Sequence, residues 1–343
     1  MPKLLQAPHG ISTAASTCVN RSSESKVKSQ FIKARIISRE THGGSVAVIS
    51  LTGDGCKLPA FSAGAHIDIF VSDDITRQYS LCGSPEIANL YKVGILNDPE
   101  SRGGSSFIYE HFDKGRTVFI STPRNHFPLE NNVSKAILIG GGIGITPLLS
   151  MAYKLKSEGK PFEIHYCVKT SKTAGFIDEL AQNFADSTHI YESQSATPNK
   201  LDAMALFSRL EGNEEIYICG PDKFMESIRS SASSAGFTEK QIHTEYFSGD
   251  IDTSGQAFEV VCEQSGKTLS VAADETIADA LKAAGIKVQM SCAEGVCGTC
   301  ITDVLEGEPE HRDLFLSDEE KADNDQIAVC CSRAKSKRLV LDI

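Results

Sequence analysis

The sequence predicts a multidomain chain of α/β and β architecture, with a small antiparallel β-barrel, then a parallel αβ domain, then a compact C-terminal domain. Three observations carry this. Residues 30–130 hold six short strand-like runs with one helix among them, residues 131–248 alternate strands with helices, and the C-terminal part collects a dense group of cysteines. At 343 residues the chain is long enough for two or three cores.

Residues 1–29 are polar and Ser/Thr-rich. They lack the apolar core of a secretion signal and the Arg-rich pattern of an organellar one, so a disordered N-terminal extension is expected. In 30–130 the runs Phe31–Ile37, Ser45–Leu51, His66–Val71, Arg77–Leu81, Tyr91–Leu96 and Arg116–Ile120 are β-rich and bounded by Gly, Pro, Asp or Ser. One helix, Ser106–Phe112, follows Gly103-Gly104-Ser105. The pattern then changes. Ala136–Ile139 is a continuous apolar run that meets Gly140-Gly141-Gly142-Ile143-Gly144, and a helix follows over Thr146–Leu155. Strands at Phe162–Val168, His189–Glu192, Glu215–Cys219 and Ile242–Phe247 alternate with helices near Phe176–Phe184, Leu201–Leu210 and Pro221–Ala235. That order implies right-handed βαβ units and a parallel sheet. Residues 249–256 read as a linker of small and polar residues. The last domain, 257–343, opens on a hairpin, Phe258–Glu263 and Leu269–Ala272 around Ser265-Gly266. A helix at Ile277–Ala284, a cysteine loop and strands at Gln326–Val329 and Leu339–Ile343 complete it.

The formal net charge of −11 argues against a nucleic-acid binder, which needs a basic face. From Phe258 onward there are 17 Asp plus Glu against 9 Lys plus Arg. Such an acidic domain could dock on a basic partner or simply stay soluble. No apolar run is long enough to span a membrane. Eleven cysteines, an odd number without a signal peptide, fit a reducing cytoplasm and a metal site better than a disulfide framework. Cys18, Cys56, Cys82 and Cys262 have no partner at a meaningful spacing and read as buried apolar filler.

Cys292, Cys297 and Cys300 have the C-x4-C-x2-C spacing of plant-type ferredoxins, and Cys330 follows after 29 intervening residues. Four thiolates suit an iron–sulfur cluster or zinc by softness, but zinc sites usually show paired C-x2-C knuckles, which this chain lacks. Gly295 and Gly298 allow the tight loop that would turn amides toward sulfur. Cys331 is a rival for the fourth place; the spacing favours Cys330.

Two further motifs suit nucleotides. Arg77-Gln78-Tyr79-Ser80 offers a guanidinium for phosphate, an aromatic for a planar ring and a hydroxyl for a ring nitrogen. Arg102-Gly103-Gly104-Ser105 adds bare amides at a helix start. The Gly140–Gly144 turn lies between a strand and a helix, as a phosphate-binding turn must, yet it does not fit G-x-G-x-x-G, so a standard Rossmann dehydrogenase is the poorer reading. Cys219-Gly220-Pro221 ends another strand at the carboxyl edge, where ligands of such sheets lie.

With these residues in place the chain resembles the phthalate dioxygenase reductase family, whose members feed Rieske-type oxygenases. The matching segments are Arg77–Cys82, Arg102–Ser105, Pro123–Leu129, Gly140–Pro147, Cys219–Pro221, His243–Phe247, Cys292–Cys300, His311–Asp313 and Cys330–Ala334, in unbroken order. The resemblance implies an FMN-binding barrel, an NADH-binding αβ domain and a β-grasp-like ferredoxin domain. Arg77, Gln78, Tyr79 and Ser80 would then serve the flavin, and Arg102, Gly103, Gly104 and Ser105 its phosphate. Gly141, Gly142, Thr146, Cys219 and Gly220 would serve the dinucleotide. Ser80 near the reactive ring nitrogen, Cys219 beside the nicotinamide and Phe247 over the flavin would form the catalytic set. Leu96 stands where the family often has Lys, and Lys169 where Arg is usual, which loses the planar fork.

The expected activity is therefore electron transfer from NADH through FMN and a 2Fe–2S cluster to an oxygenase, by a monomer in the cytoplasm. The alternatives are an FAD-containing reductase serving another oxygenase class, a non-enzymatic redox sensor, or a simple flavin oxidase. His126, His165 and His243 read as structural or polar contacts.

Overall fold

The computed structural model describes residues 31–72, 75–98, 103–247 and 251–343. Residues 1–30 and Arg102, and with them the expected extension and one candidate phosphate ligand, lie outside the described residues. The described residues form two compact units, divided between Glu245 and Tyr246.

The first unit begins with an antiparallel sheet of β1 (Ile32–His42), β2 (Val46–Gly53), β3 (His66–Ser72), β4 (Ile75–Ser80), β5 (Tyr91–Leu96) and β6 (Thr117–Ile120). The order is β4-β3-β6-β1-β2-β5. Strand β1 shows the cause of the fold: Ile32, Ala34 and Ile36 are buried while Lys33 and Arg35 are exposed, the period-two pattern of a half-buried strand. The two ends of the sheet meet. Leu81, just past β4, bridges to Val93, and the Cys82 amide donates to the Lys92 carbonyl at 2.8 Å, so the sheet closes into a barrel. Helix α1 (Gly104–His111) packs across it and contributes Ile108 to its core.

A parallel sheet follows: β7 (Ala136–Gly141), β8 (Phe162–Val168), β9 (Thr188–Glu192), β10 (Glu215–Cys219) and β11 (Ile242–Glu245), in the order β11-β10-β7-β8-β9. Central β7 is buried along its whole length, as a strand covered on both faces must be. The crossovers are α2 (Ile145–Glu158), α3 (Ile177–Phe184), α4 (Ala203–Ser208) and α5 (Asp222–Ser234). Strand β11 ends at Glu245, two residues short of the expected end, because Tyr246 and Phe247 have no strand partner beyond Cys219.

Barrel and parallel sheet are packed together in this unit. A Cβ on Gly94 of β5 would lie 2.7 Å from the Phe176 ring, so only glycine permits the approach. Lys92 of β5 and Tyr153 of α2 both donate to Glu179 of α3 at 2.6 Å. The Gly64 amide donates to Ser150 at 2.9 Å.

The second unit holds β12 (Phe258–Cys262), β13 (Lys267–Val271), β14 (Ile301–Glu306), β15 (Pro309–Glu310), β16 (Gln326–Ala328), β17 (Arg333–Ala334) and β18 (Arg338–Leu341), with helices α6 (Ile277–Ala283) and α7 (Asp318–Asp323). Its five-stranded sheet runs β13-β12-β18-β14-β16. β12 pairs antiparallel with β13 and parallel with β18. This is the mixed, β-grasp-like arrangement expected. The residues read as linker are held by this unit: Arg333, 2% exposed, donates to the carbonyls of Thr253, Gln256, Ala272 and Glu275. Arg312 adds the carbonyls of Asp252 and Ser254, each at 2.6 Å. No helix among the described residues is long and apolar enough to cross a membrane.

Candidate functional site

In the first unit, two edges converge. On β4, Arg77 and Tyr79 share one face, and Gln78 and Ser80 the other. A Cβ on Gly104 would lie 2.4 Å from Arg77 Nε, so the guanidinium sits against the bare first turn of α1. Gly103, at φ +88°, makes the entry to that helix, and Ser105 is the second helical residue. A guanidinium beside the first turn of a helix is a seat for a phosphate. The Tyr79 hydroxyl is buried and has no hydrogen-bond partner among the described residues. Burial also pushes that phenol's pKa up, so the group remains a neutral donor. An orphaned buried polar atom beside a phosphate seat is what a bound nucleotide cofactor would satisfy.

Ser80 is 5% exposed and its hydroxyl donates to Glu245 Oε2 at 3.2 Å. This bond joins the barrel to the last strand of the parallel sheet. Desolvation raises Glu245 to about 8, so its carboxyl is largely protonated at neutral pH. Glu245 pairs in register with Cys219 on the neighbouring strand. Burial, then the Glu245 charge, hold the Cys219 thiol well above its ordinary range, which makes it a small neutral wall and no nucleophile. Across from Ser80 in the barrel sheet stands His66, 3% exposed, with neither ring nitrogen partnered among the described residues. Burial, with Arg124 and His126 adding repulsion, lowers it to about 3, so it is uncharged.

The glycine turn completes this edge. Gly141 and Gly220 lie against each other and against Phe224: a Cβ on Gly220 would lie 3.0 Å from Gly141 Cα. A Cβ on Gly144 would come 2.3 Å from the Cys219 carbonyl oxygen. Gly142 has φ +56° and open space where a side chain would be. Of these glycines Gly142 is exposed, Gly220 half-buried, and Gly141 and Gly144 buried; they lie at the carboxyl edge, where a dinucleotide binds in folds of this kind. Thr146 lies beneath the turn, 2% exposed, its hydroxyl donating to the Ile143 carbonyl at 3.0 Å.

A second group of metal-ligating side chains occurs on β8 and β9: Glu163, His165 and His189. Although burial opposes its ionisation, Glu163 is held down at about 2 by Arg209 and Lys135. His165 is held by Tyr191 at 3.0 Å and Glu163 at 3.1 Å. Two cations already neutralise the carboxylate, so the group is structural.

The second unit holds the cysteine site. Cys292–Cys300 is an irregular loop in which Gly295 and Gly298 take φ +69° and +67°. A Cβ on Gly298 would lie 2.3 Å from the Phe315 ring, and one on Gly295 would lie 2.7 Å from Cys331 Sγ. The four sulfurs form two close pairs, Cys292 with Cys297 and Cys300 with Cys330. In each pair the neighbour's hydrogen bond raises one thiol, Cys292 or Cys300, while Cys297 is lowered to about 6 by its bond to Cys292. Loop amides are aimed at sulfur: the Glu294 amide donates to Cys292 at 3.4 Å, and the Gly295 amide bonds to Cys330. Two sulfur pairs ringed by amides fit a binuclear iron–sulfur cluster, with one pair for each iron. Cys331 Sγ lies 3.9 Å from the Ala328 carbonyl and Ser332 Oγ. Cys56, expected as buried filler, is half-buried.

A barrel with a phosphate seat, a parallel nucleotide edge and a four-cysteine loop define a flavin- and nucleotide-dependent iron–sulfur oxidoreductase. Comparison with known proteins agrees. Residues 260–335 match the 2Fe-2S iron-sulfur cluster binding domain family. The chain is 44% identical over 293 residues to the vanillate O-demethylase oxidoreductase of Pseudomonas sp. strain HR199, covering 84% of this chain and 92% of that protein. It is 39% identical over 297 residues to the carnitine monooxygenase reductase subunit of Escherichia coli K12, covering 84% and 91%. The solved phthalate dioxygenase reductase, described as modular for electron transfer from pyridine nucleotides to a 2Fe–2S centre, matches with TM-score 0.71 and 34% identity, over 91% of this chain and 98% of that one. The chain belongs to the phthalate dioxygenase reductase family, and it is an electron-transfer reductase of an oxygenase system.

Sequence reasoning missed Glu245 and His66. Both are marked only by tertiary position, one opposite Ser80 across the domain contact and the other across the barrel sheet.

Proposed function

We propose that this protein carries electrons from NADH through FMN and a 2Fe–2S cluster to a Rieske-type terminal oxygenase. The carrying observation is the Ser80–Glu245 hydrogen bond, which sets the barrel's Arg77–Ser80 strand against the end of the sheet that bears Cys219. A flavin, when bound, takes two electrons from a reduced nicotinamide and releases them singly, which a one-electron cluster requires. In this reading Arg77, Gly103, Gly104 and Ser105 hold the FMN phosphate, together with Arg102. Gln78 and Tyr79 line the ring, with the Tyr79 hydroxyl donating to it. Ser80 presents its hydroxyl to the ring edge, and protonated Glu245 keeps that hydroxyl in place without bringing a negative charge. Gly141, Gly142 and Gly220 admit the pyrophosphate backbone-first, with Thr146 bracing the turn. Cys219 walls the nicotinamide place. Cys292, Cys297, Cys300 and Cys330 hold the cluster.

The working domains would be residues 30–130 for FMN, 131–248 for NADH and 257–343 for the cluster, after an extension of 1–29 and with 249–256 between the last two. Nine free cysteines among the described residues suit a reducing cytoplasm. A monomer suffices, since no step needs a second copy. The relatives named above act with a vanillate demethylase and a carnitine monooxygenase, which supports an oxygenase partner.

The test is purification followed by extraction and weighing of the cofactor, iron and sulfide analysis, and NADH-driven reduction of cytochrome c and of candidate oxygenases. FMN with two irons and substrate turnover by one oxygenase is the expected result. Recovery of FAD, or protein that binds neither iron nor flavin after anaerobic reconstitution, overturns the reading.

A further inference from the structure

Resting on the proposed function, the reaction has a proton to dispose of. NADH yields NAD⁺, two electrons and one proton, and a cluster passes on only the electrons. Ser80, at the ring edge in that reading, is 5% exposed, so the proton needs a route through protein.

The neighbouring strand supplies one. His66 of β3 stands directly opposite Ser80 of β4. The backbone of His66 is turned the other way, its amide donating to the Arg124 carbonyl at 2.8 Å and its carbonyl accepting from the Arg124 amide at 3.0 Å. His66 and Ser80 are therefore a non-hydrogen-bonded pair, the closer kind, with Cβ atoms about 4.5–5.5 Å apart on one face. His66 is 3% exposed, and neither of its ring nitrogens has a partner among the described residues. A buried ring with an unused donor and an unused acceptor is costly unless something else engages them. Its centroid lies 5.4 Å from that of the His126 ring, in the loop after β6, and His126 is exposed. One imidazole thus lies beside Ser80 and the next reaches solvent, a gap that a single water can bridge.

The surroundings keep both rings neutral. Burial, then the Arg124 guanidinium, lower the proton affinity of each. Arg124 is tied to Asp68, on the same face of β3, at 2.8 Å. A neutral imidazole takes a proton at one nitrogen while releasing another from the second, so it passes protons without storing them. Glu245, on the far side of Ser80, carries a hydrogen that it can give to the Ser80 oxygen, which frees the Ser80 hydrogen for His66.

We propose that His66 and His126 form the proton exit of the flavin site. The Ser80 hydroxyl gives its proton to one nitrogen of His66, the other nitrogen releases one to His126, and His126 delivers one to water. Ser80 is refilled from the ring edge. Each transfer breaks one O–H or N–H bond and forms another, and no side chain is oxidised or reduced. Both imidazoles end as the opposite neutral tautomer, which exchange with water resets.

The experiment compares the full chain, loaded with FMN and cluster, with His66→Gln and His126→Asn. Because His126 is exposed, its variant keeps the fold and carries the kinetic test by itself. Stopped flow separates NADH bleaching of the flavin, which needs no proton exit, from turnover with cytochrome c, which does. Bleaching should stay within twofold in His126→Asn, while turnover should fall about tenfold, with a larger solvent deuterium effect and recovery on adding imidazole. Imidazole nitrogen NMR on the flavin-free chain reads His66 without turnover: adding FMN should shift its signals in wild type and leave them unmoved in Ser80→Ala. His66→Gln should match His126→Asn in turnover but gain nothing from the exposed position. Turnover in His126→Asn within twofold of wild type, or falling in step with bleaching, would overturn the exit, as would His66 signals indifferent to FMN. In each case wild-type FMN binding and NADH bleaching would leave the proposed function standing; wild-type protein lacking both would overturn the two together.

Discussion

Single residues divide into those whose type announces their chemistry and those whose meaning lies in what faces them. The cysteines are of the first kind, because thiolate spacing alone fixes what a short loop can surround. Cys330→Ser should abolish delivery to one-electron acceptors while NADH still bleaches the flavin, and Cys331→Ser should leave both intact, as read by stopped-flow absorbance. The opposite pattern would move the fourth ligand to Cys331. Glu245 is of the second kind. Its carboxyl titrates at about 8 in the fold against an ordinary 4.5, so between those values the folded state keeps a proton that the unfolded chain has lost. The stability of the flavin-free protein should accordingly fall as pH rises from 4.5 through 8. In Glu245→Gln that part of the slope should vanish, which urea midpoints at pH 5, 7 and 8.5 would detect. Glu245 lies inside the His243–Phe247 segment that carries the resemblance, but its partner, the Ser80 hydroxyl, shows only in the fold.

At the scale of elements, periodicity and punctuation made most strands legible. Alternating Ile32, Ala34 and Ile36 declared β1, and the unbroken apolar run of β7 declared a sheet interior. Strand β14 escaped because it starts directly after Cys300, and its pattern of partly exposed residues hardly alternates. Helix α7 escaped because it buries none of its residues; its one signal is the Ser317–Glu320 capping box. The cysteine loop depends on two left-handed glycines. Gly298→Ala would force a methyl into the Phe315 ring as well as an unfavourable φ, and should cost about 2 kcal/mol or more. Iron content and visible absorbance should drop several-fold, while flavin binding should be unchanged. A fully loaded cluster in that variant would show that the Phe315 contact yields easily.

At the scale of the molecule, two compact units divide the chemistry, and their stabilities should be separable. Arg333 supports only the second. Arg333→Met would leave four carbonyls of residues 253–275 without their donor, a loss of about 3–5 kcal/mol for a buried charged group in a network. In the full chain, loss of the cluster's visible signal on heating should shift to lower temperature by several degrees, with release of flavin fluorescence unmoved. Parallel movement of both signals would mean that the units unfold as one.

The same arginine has a practical bearing on how this module could be transplanted. Four carbonyls grip one guanidinium, and two of them come before the first strand of the unit, from Thr253 and Gln256. A graft cut at Phe258, the border that strand boundaries suggest, would leave that cation half-solvated and its host a poor donor for fusion. One cut at Ile251 would carry its own fastening along.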